Sequence, residues 1–160
     1  MSVRKKRKKI DDFEITHHLL ELESEIYDIL ENAPRKYNFN LKQQAKEILG
    51  AVKYNMAKSL ALIPYSKETW EEKRYILNNA QSNLTTLTLT LIQLNNKGAI
   101  SNDTKSYLDY KMATILQEMR SLLSTFTAKI KGSDGQGCAL AAESEMIKTH
   151  DCDGSGGDNA

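Results

Sequence analysis

The sequence predicts an all-α protein: an up-down-up-down antiparallel four-helix bundle with a basic N-terminal arm and a disordered C-terminal tail. Three observations predict it. Apolar residues recur at alternating spacings of four and three through four long segments, the period of a helix burying one stripe. The only prolines, Pro34 and Pro64, each stand where such a periodicity stops, and proline lacks the amide hydrogen and clashes with the preceding turn. The connections between segments are short, which forces consecutive helices to run antiparallel.

The first helix is expected from about Ile10 to Ala33, with Ile15, Leu19, Leu22, Ile26 and Ile29 on its buried stripe. A loop from Pro34 to Asn40 leads to the second, from about Leu41 to Ile63, whose stripe is Leu41, Ala45, Ile48, Val52, Met56, Leu60 and Ile63. Gly50 inside it costs roughly 1 kcal/mol relative to alanine. Ser66 is placed to cap the third helix, with Glu68 favouring the positive end of its dipole. The third stripe is Trp70, Leu77, Leu84, Leu87, Leu91 and Leu94. Leucine and threonine alternate from Leu84 to Leu94, a strand-like pattern, but the heptad runs through it and the segment reads as helix. Asn95, Asn96 and Gly98 end it, and Ser101 opens a fourth helix with Leu108, Met112, Ile115, Met119, Leu122 and Phe126 inward. The organisation is then an arm at residues 1–9, a bundle at 10–131 and an acidic, glycine-rich tail at 132–160, within which a helical turn is expected near Ala139 to Ile147.

The formal net charge of +1 hides a polarity along the chain. Arg4, Lys5, Lys6, Arg7, Lys8 and Lys9 are six consecutive bases, the tail is acidic, and the stretch between is balanced. No window is apolar enough to span a bilayer, and Asp11 and Asp12 follow the basic run where a secretory signal needs an apolar stretch. Cys138 and Cys152 both fall in the tail, which describes no disulfide framework and fits a reducing, cytoplasmic setting.

Two helices carry more apolar surface than one stripe requires. Phe13, Leu20 and Tyr27 recur every seven residues off the first stripe, and Tyr75, Leu89 and Ile92 lie off the third. A contiguous exposed apolar strip marks contact with another protein, so these residues are the expected interface of a homo-oligomer. A core wider than one stripe is the bland alternative.

Little in the chain points to catalysis. A di-iron site needs two Glu-x-x-His pairs, and only Glu14–His17 exists. Cys138, His150 and Cys152 lack the close pair that zinc needs, and the Asp151-x-Asp153-Gly154 fragment lacks the closing glutamate of a calcium loop. No phosphate-cradling glycine loop or nucleophile elbow occurs. The expectation is a protein that is not an enzyme, with no metal, no cofactor, no small-molecule substrate and no membrane partner. The basic run is the strongest charge feature: six adjacent cations neutralise phosphates and release counterions, giving sequence-independent, salt-sensitive nucleic-acid binding. Arg35, Lys36, Lys42 and Lys46 extend the candidate nucleic-acid-binding set.

One stretch, Asn32-Ala33-Pro34-Arg35-Lys36-Tyr37-Asn38-Phe39, closes a helix on a proline and two bases. Two long helices, the turn Gly98-Ala99-Ile100-Ser101 and Tyr107 follow. This pattern, from about Phe13 to Ile130, resembles a small bacterial four-helix-bundle family. The family includes the accessory variability determinants (Avd) of diversity-generating retroelements and proteins encoded by intervening sequences in large-subunit ribosomal RNA genes. The resemblance implies a pentamer that binds the retroelement's reverse transcriptase and template RNA and supports mutagenic cDNA synthesis, the transcriptase supplying the catalysis. Arg35 and Lys36 match the family's basic turn; Arg4 to Lys9 match none of its motifs and are included on charge. The chain departs from the family in its charge-balanced helices, with Thr86, Thr88, Thr90 and Gln93 where arginines are common, and in its acidic tail. The alternative is a protein–protein interaction module, or an intervening-sequence-type protein with no reverse-transcriptase partner.

Overall fold

The computed structural model describes residues 13–34 and 39–144, the last ten as backbone alone. Four helices account for nearly all of them: α1 (Glu14–Asn32), α2 (Phe39–Ala61), α3 (Lys67–Asn96) and α4 (Asn102–Ser144). Each packs on its neighbours in sequence, α1 closes the ring against α4, and neither diagonal pair approaches. Cross-helix contacts fix the directions. His18 meets Glu118 and Glu25 meets Lys111, so numbers climb on α1 as they fall on α4. The pairs Glu23–Lys53 and Tyr27–Lys46 do the same for α1 and α2, as do Trp70–Phe126 and Thr88–Met112 for α3 and α4. The bundle runs up-down-up-down.

The core is one continuous column of leucine, isoleucine, methionine and alanine. Leu19, Leu22, Ile26, Leu49, Leu77, Leu84, Leu87, Leu91 and Leu94 are essentially sealed from solvent. Two stripes drift from the expected register. On α1 the last core position is Leu30, with Ile29 half-buried; on α2, Leu49 is buried and Ile48 half-buried. A helix in a globular bundle buries a stripe wider than a strict 3.5-residue seam, so a residue beside the expected position can be the sealed one. Ile63 stands 56% exposed because α2 stops at Ala61. On α3 Ile76, which lies off the expected stripe beside Tyr75, is also buried.

The ends of α3 follow the local chemistry of the sequence. Ser66 accepts from the Thr69 amide at 3.3 Å, while the Thr69 hydroxyl oxygen accepts from the Ser66 amide at 2.9 Å. This reciprocal box satisfies amides that the first turn leaves orphaned. At the other end Ala99 N donates to Leu94 O at 2.9 Å and Gly98 N to Asn95 O at 3.0 Å, the paired bonds of a Schellman ending. Gly98 adopts φ 76°, a left-handed conformation that costs other residues a Cβ clash. Between these caps the Leu–Thr alternation is helix throughout. The hydroxyls of Thr85, Thr86, Thr88 and Thr90 each donate to the carbonyl four residues back, so their polar atoms are satisfied without leaving the helix.

The expected stop at Gly132 does not occur. α4 continues to Ser144, with Ser133 bonded back to the Lys129 carbonyl and Asp134 paired to Lys67 at 2.7 Å. That ion pair ties the extension to the first turn of α3, and the following Ala-Leu-Ala-Ala run has high helix propensity. The rest of the tail, like the arm, falls outside the described residues. No described helix is long and apolar enough to cross a membrane.

Candidate nucleic-acid and protein interfaces

Of the ten cations expected to bind nucleic acid, Arg4 to Lys9 and Arg35 with Lys36 lie outside the described residues, and Lys42 and Lys46 lie within them. Both belong to the first two turns of α2. Lys42 donates to the Ala33 carbonyl at 2.6 Å, capping the C-terminal end of α1, where positive charge complements the helix dipole. Lys46 sits 5.1 Å above the ring of Tyr27. An ammonium has three donors, so neither contact exhausts these groups. The two lysines line a shallow hollow with Leu30, Glu31 and Phe39. Phe39 is the residue that sequence reasoning passed over. It is 74% exposed at the head of α2, immediately after the basic turn. Its sequence signal was an aromatic among cations, one turn ahead of the buried stripe.

Lys42 and Lys46 stand at the end of α1 away from Phe13, the first described residue, and the 19 residues of that helix span about 28 Å.

The expected oligomer-interface residues divide. Leu20 (47%), Tyr75 (66%) and Leu89 (60%) are exposed, while Ile92 is half-buried. Phe13 and Tyr27 are also half-buried and pack against the core, so α1 carries no continuous apolar strip. Tyr27 is held there by α2, whose Lys46 covers its ring. The outward surface of α1 is acidic instead, and it meets α2 and α4 through polar pairs. Lys53 lies 2.9 Å from Glu23, Lys111 lies 2.6 Å from Glu25, and His18 Nδ1 is 2.5 Å from Glu118, with Glu14 at 3.8 Å on the other ring nitrogen. The hydrogen bond that Lys111 donates to Glu25, helped by Tyr107, raises the Lys111 pKa above its ordinary value. Asp134 raises that of Lys67 likewise. Glu68 is lowered, first by its own backbone amide and then by the Ser66 hydroxyl.

Lys73 is the one cation among the described residues that the fold buries, at 7% exposure. It donates to the carbonyls of Ser59, Leu60 (3.4 Å) and Leu62 (3.0 Å), closing the C-terminal end of α2 from the neighbouring helix. The Ser59 hydroxyl returns a bond to the Lys73 carbonyl at 2.8 Å, and the ammonium lies 5.2 Å over the Phe126 ring. Burial pulls the Lys73 pKa below the ordinary lysine value. Its partners are carbonyls and a ring, so its role is to cap a helix end.

Among the described residues no three His, Cys, Asp or Glu side chains converge as a metal would require. His17 is exposed, and its Glu14 pairs with His18 rather than with it. Cys138, His150 and Cys152 lie outside the described side chains. No protein-family model matches the chain, and no curated protein matches it significantly.

Proposed function

We propose that this is a non-catalytic, cytoplasmic accessory protein that binds single-stranded nucleic acid and serves a reverse transcriptase of the diversity-generating kind. The observation that carries the nucleic-acid reading is Phe39, 74% exposed beside Lys42 and Lys46 and following Arg35 and Lys36 in the chain. Single strands are held by aromatic rings on which bases stack and by cations that track phosphates. The six consecutive bases Arg4 to Lys9 supply further phosphate contacts. The transcriptase enters through the family resemblance of the turn at Pro34–Phe39 and of Gly98–Ser101.

Titrating a labelled single-stranded RNA at several salt concentrations tests this reading. Affinity is expected to fall steeply with salt, by roughly 0.7 in log K per log salt for each phosphate neutralised. Deleting residues 1–9 should flatten the slope. Phe39→Ala should weaken binding at every salt with the slope unchanged. No binding at low salt overturns the proposal. The transcriptase is tested by co-purification after co-expression with a diversity-generating reverse transcriptase.

A second reading, a module whose only partner is protein, is favoured by the uncharged outer face of α3. It predicts capture of the transcriptase, or self-association, without any RNA affinity.

A further inference from the structure

Among the described residues that line the Phe39 hollow, Glu31 alone carries a negative charge. It belongs to the last turn of α1, where the helix dipole is negative and a carboxylate costs stability. No ion pair offsets that cost among the described residues. Lys42 donates instead to the Ala33 carbonyl, and Lys46 covers the ring of Tyr27. Glu31 therefore stands exposed and unengaged beside two cations. Next to a bound strand it also repels phosphates, so its place in the hollow calls for a ligand group that a carboxylate attracts.

Phe39 says which group that is. The ring is 74% exposed, and a base stacked on it keeps its edges free to meet the rim of the hollow. An ionised carboxylate offers acceptors only, two oxygens side by side. Guanine is the one common base that sets two N–H donors side by side on its pairing edge, at N1 and on the exocyclic amine at C2. The match has the fork geometry of an arginine on a carboxylate. Uracil sets a single N–H between two carbonyls. Cytosine and adenine each place an amine next to a ring nitrogen that accepts, and that nitrogen would face a carboxylate oxygen.

We infer that Glu31 makes the Phe39 site selective for guanine, accepting both hydrogen bonds from the pairing edge of a guanine stacked on the ring. Lys42 and Lys46 hold the flanking phosphates. The inference rests on the single-strand reading of this site and adds the base it takes. Pairing in a duplex consumes the same edge, so the guanine must be unpaired.

Fluorescence anisotropy of the full chain at low salt tests this, with short labelled uridine RNAs that differ at one central position. A central guanine should bind roughly tenfold more tightly than uridine, the discrimination of one good bidentate contact. Inosine, which keeps the N1 donor and lacks the amine, should fall between them, and adenine should gain nothing over uridine. Glu31→Gln keeps an exposed, helix-favouring side chain. It should tighten the all-uridine strand, because a charge that repels phosphate is gone, and abolish the preference for guanine. A carboxylate acting through charge alone would instead leave the preference intact while every strand tightened by one factor. Equal binding of all strands overturns the inference and leaves the single-strand reading standing; guanine equal to inosine, or a preference that survives Glu31→Gln, overturns it as well. Absence of binding to every strand overturns both.

Discussion

Lys73 illustrates how a residue's role depends on what ends beside it. Its stem fills the heptad position between Trp70 and Leu77, and its ammonium meets carbonyls that α2 leaves unpaired at its end. Truncating it to alanine orphans those carbonyls and opens a void, so Lys73→Ala should cost about 2–3 kcal/mol in urea unfolding. Because burial lowers its pKa, the unfolded chain holds the proton longer than the folded one between the folded value and the ordinary lysine value. Stability from this group therefore rises with pH across that alkaline window. Lys111 acts with the opposite sign: its raised pKa gives stability that is fully present below the ordinary lysine value and lost as pH climbs through the folded one. The test is unfolding from pH 8 to 11, where Lys73→Met should remove the rising component. Ser66→Ala, which breaks the box at the start of α3, should cost about 1 kcal/mol, and Ser66→Gly less.

Among the elements, α1 is the least closely packed. Its Leu and Ile stripe holds it at a distance where α2 and α3, with Ala45, Ser59 and Ala80 between them, come nearer. It relies correspondingly on ion pairs at its flanks, which water weakens. In native-state hydrogen exchange its amides should open before those of α3. Glycine substitutions separate propensity from geometry. A Cβ on Gly50 would meet nothing within 4 Å, so Gly50→Ala should stabilise by up to about 1 kcal/mol. At Gly98 the space is also free but φ is 76°, so Gly98→Ala should destabilise by about 1 kcal/mol. These elements were largely legible beforehand, because period, proline and caps are local signals. Leu30 and Leu49 were missed by one position because a strict two-per-heptad seam is narrower than the stripe that a bundle helix buries. The bundle was bounded at Gly132 because glycine and acid imply a tail, whereas α4 runs on through it and the nearby Lys67–Asp134 pair joins residues far apart in sequence. Lys73 was invisible for a related reason. A lysine inside a helix normally faces water, and only the gap it fills in the seam, together with the end of another helix, marks it as buried.

At the scale of the whole molecule, the bundle turns two sequence features into separate surfaces: Phe39 with Lys42 and Lys46 occupies one end, and the uncharged face of α3 looks sideways. The candidate site was half legible: charge pointed to Lys42 and Lys46, but exposure of Phe39 depends on where the helix stripe faces. The central claim is that the Phe39 end receives a single strand. Backbone chemical shifts of the isotope-labelled protein, followed while a short oligouridine is added at low salt, test it most directly. The account predicts changes concentrated at Phe39 to Lys46 and at residues 1–9, removed at the first location by Phe39→Ala. Changes confined to α3 and α4, or an unmoved spectrum at saturating RNA, contradict it.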